Sequence, residues 1–337
     1  MKIGILTFSK SPSYGATLQC YALCRILKNM GHIPYLIKEE LPHESSLKYR
    51  MRFLISCREF RRFKKSYLPQ FVSTIEGLDL VIVGSDQVWN PDLTGIKVFR
   101  FFGDYTPNNI PFISYAASFG KDVWSHHKLN DKIRMLLYQR FKAISVREAS
   151  GMDICEKTFG IKATLVLDPT LLVDNFNELI VKHGINEEFV SFKLHNPLDP
   201  NWQNLMKEIS LTTNRSHNQL SCVPHNKFYT VKSVENWLSD IASSRFVLTD
   251  SFHGMLMAIK YRKPFVVFRP ALGREGRVKE LLEKLGLEDR YCDNFQGGIS
   301  DIIVGKINDP IDYNTVEKRL AVLREQSIKF LENSIAL

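Results

Sequence analysis

Short apolar runs alternate with stretches of helical periodicity along most of the chain. The apolar run Ile3–Phe8 precedes a polar turn, after which Leu18–Leu27 repeats apolar residues at helical spacing and Ile33–Ile37 forms a second apolar run. Strands that are apolar throughout, rather than alternating, are typical of a parallel sheet covered on both faces. The chain therefore opens with a predicted parallel βαβ unit.

The same alternation continues downstream. Further strands are predicted at Leu80–Val83, Pro111–Tyr115, Ala143–Val146, Thr164–Leu167, Phe189–Lys193, Phe246–Leu248 and Pro264–Phe268. Helices are predicted at Leu129–Phe141, Ala149–Phe159, Val234–Ser243, Gly254–Tyr261, Val278–Leu285 and Thr315–Leu331. At about 150 residues per domain, a chain of 337 residues fits two such sheets. We predict an α/β fold with an N-terminal domain at 1–178, a C-terminal domain at 179–310 and a C-terminal helix at 311–337.

Composition and charge narrow the function class. Hydrophobic residues make up 44% and charged residues 24% of the chain, which excludes disordered classes. The formal net charge of +9 favours a phosphorylated metabolite, an acidic glycan or an anionic lipid as partner. Nucleic acid is not expected, because no zinc-finger or RNA-recognition pattern is present. The six cysteines form no C-x-x-C pair, and no secretory signal or bilayer-length apolar run is present, so we expect a reducing, cytoplasmic location.

Small, polar and charged residues cluster where several predicted strands end. Ser13–Ala16 follows the first strand, Gly84–Asn90 follows another, and Thr249–Gly254 follows a strand of the second half. Arg147 and Asp168 stand at the same place after two further strands. Because ligands bind beyond the carboxyl ends of parallel strands, these residues predict a cleft.

Simpler explanations exist for some of these residues. Asp86 and Asp168 could cap helices or turns, and Gly15 and Gly84 could serve backbone geometry alone. Position after a strand favours a site role for Arg147 only modestly over a solvated ion pair.

His253 has the strongest case for a chemical role. Asp250 or Ser251 can cap the helix that follows, which places His253 beside the free amides of its first turn. A helix start carries partial positive charge and can hold a phosphate or carboxylate group. A histidine beside that group can donate a proton to a reacting atom.

Three arginines strengthen the prediction of an anion site. Arg269, Arg274 and Arg277 follow the strand Pro264–Phe268 within nine residues, and guanidinium binds carboxylate or phosphate through two bonds. Lys193, which ends its strand, is a further candidate. The chain lacks the glycine motifs of dinucleotide-dependent oxidoreductases and P-loop nucleotidases, so both classes lose support.

The stretch Leu47–Lys65 carries eight basic residues against one acid, Glu59, with phenylalanines interleaved. An amphipathic basic helix of this kind could lie on anionic lipid as a peripheral membrane contact. A solvated helix with an aromatic edge facing the core is the slightly preferred alternative.

Taken together, the motifs resemble the polysaccharide pyruvyl transferase family. The matching pieces occur in family order over about residues 3–290: Tyr14–Ala16 with Gln19 and Tyr21–Leu23, Gly84–Asn90, Tyr115–Gly120, Ser145–Glu148, Leu167–Leu171, and Thr249–Gly254 with Lys263–Phe265. Each piece alone is weak, whereas the whole series is specific.

The resemblance implies two Rossmann-like domains similar to those of GT-B glycosyltransferases, with the acceptor on the N-terminal side and the donor on the C-terminal side of a cleft. It implies transfer of a pyruvyl group from phosphoenolpyruvate onto two hydroxyls of a sugar as a cyclic ketal. The acceptor would be a capsular, exopolysaccharide or other envelope glycan precursor, often lipid-linked. Phosphoenolpyruvate is then a co-substrate, and no metal or resident cofactor is expected.

The resemblance also implies roles for individual residues. His253 would be the general acid or at least contact the phosphate, and Asp86 and Gln87 would position or deprotonate the acceptor hydroxyls. The donor would contact Ser251, Gly254, Arg274, Arg277, Arg147 and Lys193. The acceptor would contact Tyr14, Gly15, Gln19, Ser85, Gln87 and Trp89.

Two positions depart from the family pattern, and two rival functions stay open. Ser251 stands where members tend to carry arginine, so the anion contact of that arginine comes from elsewhere or the donor differs. Ser13 stands where many members carry asparagine.

Glu275 and Glu283 have the E-x7-E spacing of nucleotide-sugar glycosyltransferases on the same architecture. A non-catalytic protein that binds anionic glycans is the second rival.

Overall fold

The computed structural model describes residues 1–38, 58–104, 110–182, 184–194, 196–221, 231–270, 273–295 and 298–337. Within these residues, the N-terminal half forms a parallel sheet of eight strands in the order β3-β2-β1-β4-β5-β7-β8, with β6 beside β5. The strands are β1 (Lys2–Leu6), β2 (Ile33–Ile37), β3 (Phe71–Val72), β4 (Leu80–Asp86), β5 (Phe112–Ala117), β6 (Phe141–Ala143), β7 (Ser145–Val146) and β8 (Thr164–Leu165).

Helices cover both faces of this sheet. They are α1 (Tyr14–Asn29), α2 (58–67), α3 (Pro91–Thr94), α4 (Asn130–Arg140), α5 (Ala149–Asp153) and α6 (Pro169–Leu172), with a 3-10 helix at Gly95–Phe102 and a π-helical turn at Ile154–Thr158. α1 begins where the Ser13 side chain accepts a hydrogen bond from the Ala16 amide. Central strands such as β4 and β5 are buried almost throughout, which explains why their apolar runs do not alternate.

The C-terminal half repeats the design with five parallel strands among the described residues, in the order β10-β9-β11-β12-β13. The strands are β9 (Phe189–Phe192), β10 (His217–Leu220), β11 (Val247–Thr249), β12 (Phe265–Phe268) and β13 (Tyr291–Cys292). The helices are α7 (Pro200–Thr213), α8 (Val234–Ser243), α9 (Phe252–Lys260), α10 (Gly276–Leu285), α11 (Ser300–Asn308) and α12 (Tyr313–Ala336).

The last helix, α12, returns to the N-terminal half and binds its backbone. The hydroxyl of Ser327 accepts a hydrogen bond from the Leu167 amide at 3.0 Å. The guanidinium of Arg324 donates to the Leu171 carbonyl at 2.6 Å. These contacts tie the C-terminal helix to the segment that links the two sheets.

The predicted α/β fold with two parallel sheets is confirmed. The strands that the hydrophobic pattern missed, β3, β10 and β13, lie at sheet edges, and β10 is largely polar because only one of its sides pairs with a neighbour. The domain boundary at 178 stays a prediction; β8 ends at Leu165 and β9 begins at Phe189. Most of the basic stretch Leu47–Lys65 lies outside the described residues, and the described part forms α2 with Phe60 and Phe63 buried.

Candidate functional site

An aromatic junction of Tyr14, Phe192 and Trp237 joins the two halves. The Tyr14 ring stacks on Trp237 at a centroid distance of 4.7 Å, and its hydroxyl donates to the Lys232 carbonyl at 2.8 Å. Phe192 meets the same ring edge-on. Only 1% of Tyr14 is exposed, so the residue predicted to contact the acceptor holds the two halves together in this arrangement.

A charged cluster of Arg147, Asp168, His253 and Arg277 lies at the same boundary between the halves. The carboxylate of Asp168 accepts from the Arg147 guanidinium at 3.0 Å and approaches His253 Nε2 to 3.4 Å through the same oxygen, Oδ2. Ser85 donates to that oxygen at 3.0 Å. The structure thus brings together side chains from the end of β4 and from the segments after β7 and β8 in one half, and from the segment after β11 in the other.

Asp168 also caps the short helix α6. Its second oxygen, Oδ1, accepts from the Thr170 amide at 3.0 Å and from the Thr170 hydroxyl at 2.8 Å. The capping role that the sequence allowed is therefore present, and the carboxylate that fulfils it also belongs to the charged cluster.

Electrostatics keep this buried carboxylate charged. Burial alone would raise the pKa of Asp168, but His253 and then Arg147 outweigh it and hold that pKa well below its ordinary value. Burial opposes the charge of Arg147 in turn, yet Asp168 and Asp86 raise the pKa of that guanidinium. The neighbouring Glu148 keeps a pKa above its usual value, because burial outweighs the attraction of Arg147.

The imidazole of His253 fits against Gly15 of α1. A Cβ atom at Gly15 would lie 2.2 Å from His253 Nδ1, so only glycine leaves room for the ring there. Ser251 begins α9 by accepting a hydrogen bond from the Gly254 amide at 3.3 Å. The cap predicted before His253 is Ser251 rather than Asp250, and it occupies one of the amides that we expected to be free for an anion.

A cavity of about 240 Å³ adjoins the charged cluster, and we call it the interdomain cavity. Both halves and α12 line it, including Arg147 and Asp168 from one side and Phe252 and Arg277 from the other. The guanidinium groups of Arg147 and Arg277 lie 5.3 and 5.4 Å from the centre of the Phe252 ring. Both arginines therefore converge on one aromatic ring at the edge of the cavity.

Arg277 is the open cation of this site. It has no hydrogen-bond or ion-pair partner among the described residues, and its Nε is buried. Burial, reinforced by Arg147, lowers the pKa of Arg277 to about 10, so the group stays protonated at neutral pH. A guanidinium that forms no ion pair, beside a second one, is suited to a bound anion, although the charges of Glu148 and Asp86 also act on it.

Asp86 has a strained backbone at the end of β4. Its φ angle is +91°, a value that side-chain-bearing residues rarely adopt, and its carboxylate accepts from the Gln87 amide at 2.8 Å. The same carboxylate lies 3.7 Å from Arg147 and is 15% exposed. Strain of this kind concentrates at functional sites, which supports the choice of Asp86.

The model of one protein family, Polysaccharide pyruvyl transferase, matches residues 14–271. The chain belongs to this family. Among curated proteins, none matches the chain. No helix among the described residues of this family member is long and apolar enough to cross a bilayer.

Solved structures support the fold of this family member. The S. aureus MnaA–UDP co-structure has a TM-score of 0.57 at 12% identity and covers 100% of this chain and 98% of its own. The Methanocaldococcus jannaschii UDP-GlcNAc 2-epimerase in complex with UDP-GlcNAc and UDP has a TM-score of 0.51 at 14% identity, with 96% and 99% covered. The spinosyn rhamnosyltransferase SpnG has a TM-score of 0.50 at 10% identity over 100% of both chains. The fold is therefore the two-sheet architecture of GT-B glycosyltransferases and UDP-GlcNAc 2-epimerases.

Two of the remaining donor-side predictions of this pyruvyl transferase family member do not line the interdomain cavity among the described residues, although Arg274 interacts electrostatically with Arg277. Lys193 pairs with Asp250 at 3.4 Å and lies 4.7 Å from the centre of the Phe295 ring. Arg274 is half-buried, but it is not among the described residues that line the interdomain cavity. Their donor-binding roles stay predictions that this geometry does not strengthen.

Several acceptor-side predictions lie in packed positions. Trp89 is fully buried, stacks on Phe102 and donates from Nε1 to the Phe101 carbonyl at 3.1 Å. Gln19 is fully buried and donates to the Thr7 hydroxyl at 3.1 Å. Gln87 is partly exposed next to Asp86, so it keeps the best position for an acceptor contact.

Sequence reasoning gave Phe252 and Ser327 no site role. Phe252 stands between Ser251 and His253, so its place in the motif was a usable signal. Ser327 lies on α12, more than 150 residues from the strands it borders, and no local pattern points to it.

Proposed function

We propose that the protein transfers a pyruvyl group from phosphoenolpyruvate onto two hydroxyls of a sugar in a capsular, exopolysaccharide or envelope glycan precursor. The observation that carries this proposal is the pair Arg147 and Arg277 at the interdomain cavity, where Arg277 has no acid partner among the described residues. Phosphoenolpyruvate carries a phosphate and a carboxylate on adjacent groups, which two guanidinium groups can hold together. The contact of Arg147 and Arg277 with the donor replaces that of the arginine which family members tend to carry at the position of Ser251.

The protons of the reaction balance: the two sugar hydroxyls release two, the methylene carbon takes up one, and phosphate leaves with the other. The methylene carbon of phosphoenolpyruvate takes a proton, which leaves a cationic centre at the carbon that bears the phosphate and carboxylate. A sugar hydroxyl attacks that carbon and loses its proton. The bond between this carbon and the phosphate oxygen breaks, phosphate leaves with one proton, and a second hydroxyl closes the ketal ring and loses its proton.

His253 is the proposed acid, and Asp168 is its positioning residue. His253 is not among the described residues that line the interdomain cavity, but it contacts Asp168, which does line it. The carboxylate contacts Nε2 and fixes the ring orientation. Asp86 and Gln87 are the proposed contacts of the acceptor hydroxyls. The reaction is placed in the cytoplasm, where phosphoenolpyruvate is available, with a glycan or lipid-linked acceptor.

Phosphate release in the presence of phosphoenolpyruvate and an acceptor glycan tests the proposal. We expect H253N to reduce the rate at least about 100-fold, because positioned acid catalysis contributes that much or more. His127→Asn is the matched control, since His127 is exposed, and we expect it to keep the wild-type rate. Release of UDP from UDP-sugars instead of phosphate would replace this proposal by a glycosyltransferase. Undiminished turnover in H253N would remove His253 from the mechanism.

A further inference from the structure

A second cavity, of about 230 Å³, lies at the opposite end of α9 from His253, and we call it the rear cavity. Lys260 and Arg262 line it from the end of α9, Asp174 from the segment between the sheets, and Glu317 and Arg324 from α12. None of these residues belongs to the charged cluster or the interdomain cavity. The rear cavity is thus a separate pocket, and three basic and two acidic side chains line it.

Arg262 occupies an unusual backbone position. It follows α9 with a φ angle of +53°, the left-handed conformation that glycine adopts most easily at a helix end. Its amide donates to the Ile259 carbonyl at 3.0 Å, and the next amide, of Lys263, donates to Ala258 at 2.9 Å. A side chain disfavours this conformation, because its Cβ lies too close to the following carbonyl oxygen. The chain nevertheless adopts it at a residue whose guanidinium has no partner among the described residues.

Lys260 is the second open donor of the rear cavity. Its ammonium donates one hydrogen bond, to the Val173 carbonyl, which leaves two N–H groups for a ligand. Arg324 is engaged by Glu317 and by the Leu171 carbonyl. Asp174 also lines the cavity, and both it and Arg262 are exposed to solvent. The cations available to a ligand are therefore Lys260 and Arg262.

The surroundings of Lys260 are short of negative charge. Burial, followed by the charge of Arg324, lowers the pKa of this ammonium to about 7, and Arg25 of α1 acts in the same direction. Glu317 and Asp174 oppose the shift without cancelling it. A bound anion would raise this pKa again, so binding would take up protons near neutral pH.

We propose that the rear cavity binds a phosphate group, either as free phosphate or as a small phosphomonoester, through Arg262 and Lys260. The cavity volume limits the ligand to a compact metabolite. The site shares α9 with His253 and borders the segment that links the two sheets. A ligand in the rear cavity would therefore stiffen α9 and this segment. The proposal is independent of the pyruvyl transfer reaction.

Calorimetric titration of the full chain with inorganic phosphate, and separately with glycerol 3-phosphate, tests this site. The R277Q variant serves as background, because it removes the open cation of the interdomain cavity. In that background we expect R262G to weaken phosphate binding at least about tenfold, since a hydrogen bond to a charged group is worth about 1.5–3 kcal/mol. Glycine suits the left-handed position, so R262G should fold and unfold like its parent. K260M should also weaken binding and gives a second, independent variant.

Asn214→Gly is the matched control for R262G. Asn214 also follows a helix, α7, in the left-handed conformation, with φ of +50°, but it does not line the rear cavity. We expect this variant to bind phosphate as its parent does. Binding of phosphate, of glycerol 3-phosphate or of both supports the proposal, and the probe that binds more tightly identifies the source that fits. Unchanged binding in both R262G and K260M, or phosphate binding that only R277Q removes, would overturn it and leave the proposed reaction intact.

Discussion

The aromatic junction and the charged cluster both join the two halves of the molecule, yet they complete their polar contacts differently. The Tyr14 hydroxyl of the junction is bonded to the C-terminal half, and the rings around it pack tightly. The charged cluster leaves buried nitrogens of His253, Arg147 and Arg277 without a hydrogen bond among the described residues. Trp237 Nε1 of the junction also lacks a hydrogen bond among the described residues, so the difference is that the unpaired nitrogens of the cluster include those of two guanidinium groups.

Two reciprocal caps border the charged cluster and hold the halves at the distance it needs. Asp122 of the N-terminal half accepts from the Gly276 amide at the start of α10 at 3.2 Å. Glu280 of α10 accepts from the Ala149 amide at the start of α5 at 2.8 Å. Each half thus provides a carboxylate for a helix start of the other, where negative charge is stabilised.

The largest effect is expected when the negative charge of Asp168, at the centre of the charged cluster, is removed. We expect D168N to lower the free energy of unfolding by about 3 kcal/mol, because it leaves a buried arginine without its closest counter-ion. Turnover should fall with it, since His253 loses its partner. Chemical denaturation and phosphate release measure the two effects. The control is D240N, whose buried carboxylate pairs with Lys182 and Lys232 away from the site, and which should lose stability but keep turnover.

The effect of D168N on the unfolding free energy should depend on pH. The pKa of Asp168 is lower in the folded chain than its ordinary value of 3.8, so its stabilising effect is complete above about pH 5 and is lost as the pH falls below about 4. The difference in unfolding free energy between wild type and D168N should therefore shrink in acid. A difference that is constant from pH 7 to pH 3 would contradict the assigned ion pairs.

A smaller effect is expected where the two regions meet, at Gly15 next to Tyr14. G15A should displace the His253 ring, because the added Cβ would lie 2.2 Å from Nδ1, and should cost about 1–3 kcal/mol of stability. We expect at least a tenfold loss of turnover. Gly305→Ala in α11 is the control: its Cβ meets no atom within 4 Å, so it should gain about 0.5–1 kcal/mol and leave turnover unchanged. Equal stability and turnover in the two variants would contradict the packing of His253 against Gly15.

The smallest effect is expected in the junction itself. Y14F removes the hydrogen bond to Lys232 but keeps the stacked ring, so unfolding free energy should fall by about 1 kcal/mol. Turnover should change less than twofold if Tyr14 only packs. Tyr138→Phe, at a side chain that is 72% exposed, should change neither quantity. A loss of turnover in Y14F of more than tenfold would support the predicted contact of Tyr14 with the acceptor.

The sequence by itself determined the two parallel sheets, the strand ends at which polar residues gather and the cap before His253. These features are local, since apolar runs and helical periodicity act over one element at a time. It could not find β10 or β13, because short edge strands bury too little to need an apolar pattern.

Only the tertiary structure decided which motif residues pack and which stay open. Tyr14 is buried against Trp237 of the C-terminal half, whereas Trp89 is buried against Phe102 of its own half. Gly15 is also buried, and Asp86 stays partly exposed. Arg277 and Arg274 are three positions apart, yet only Arg277 lines the interdomain cavity among the described residues. The partner of a side chain is chosen by elements that are far away in the chain, so its pairing, and with it the chemistry, appears only when both halves are in place.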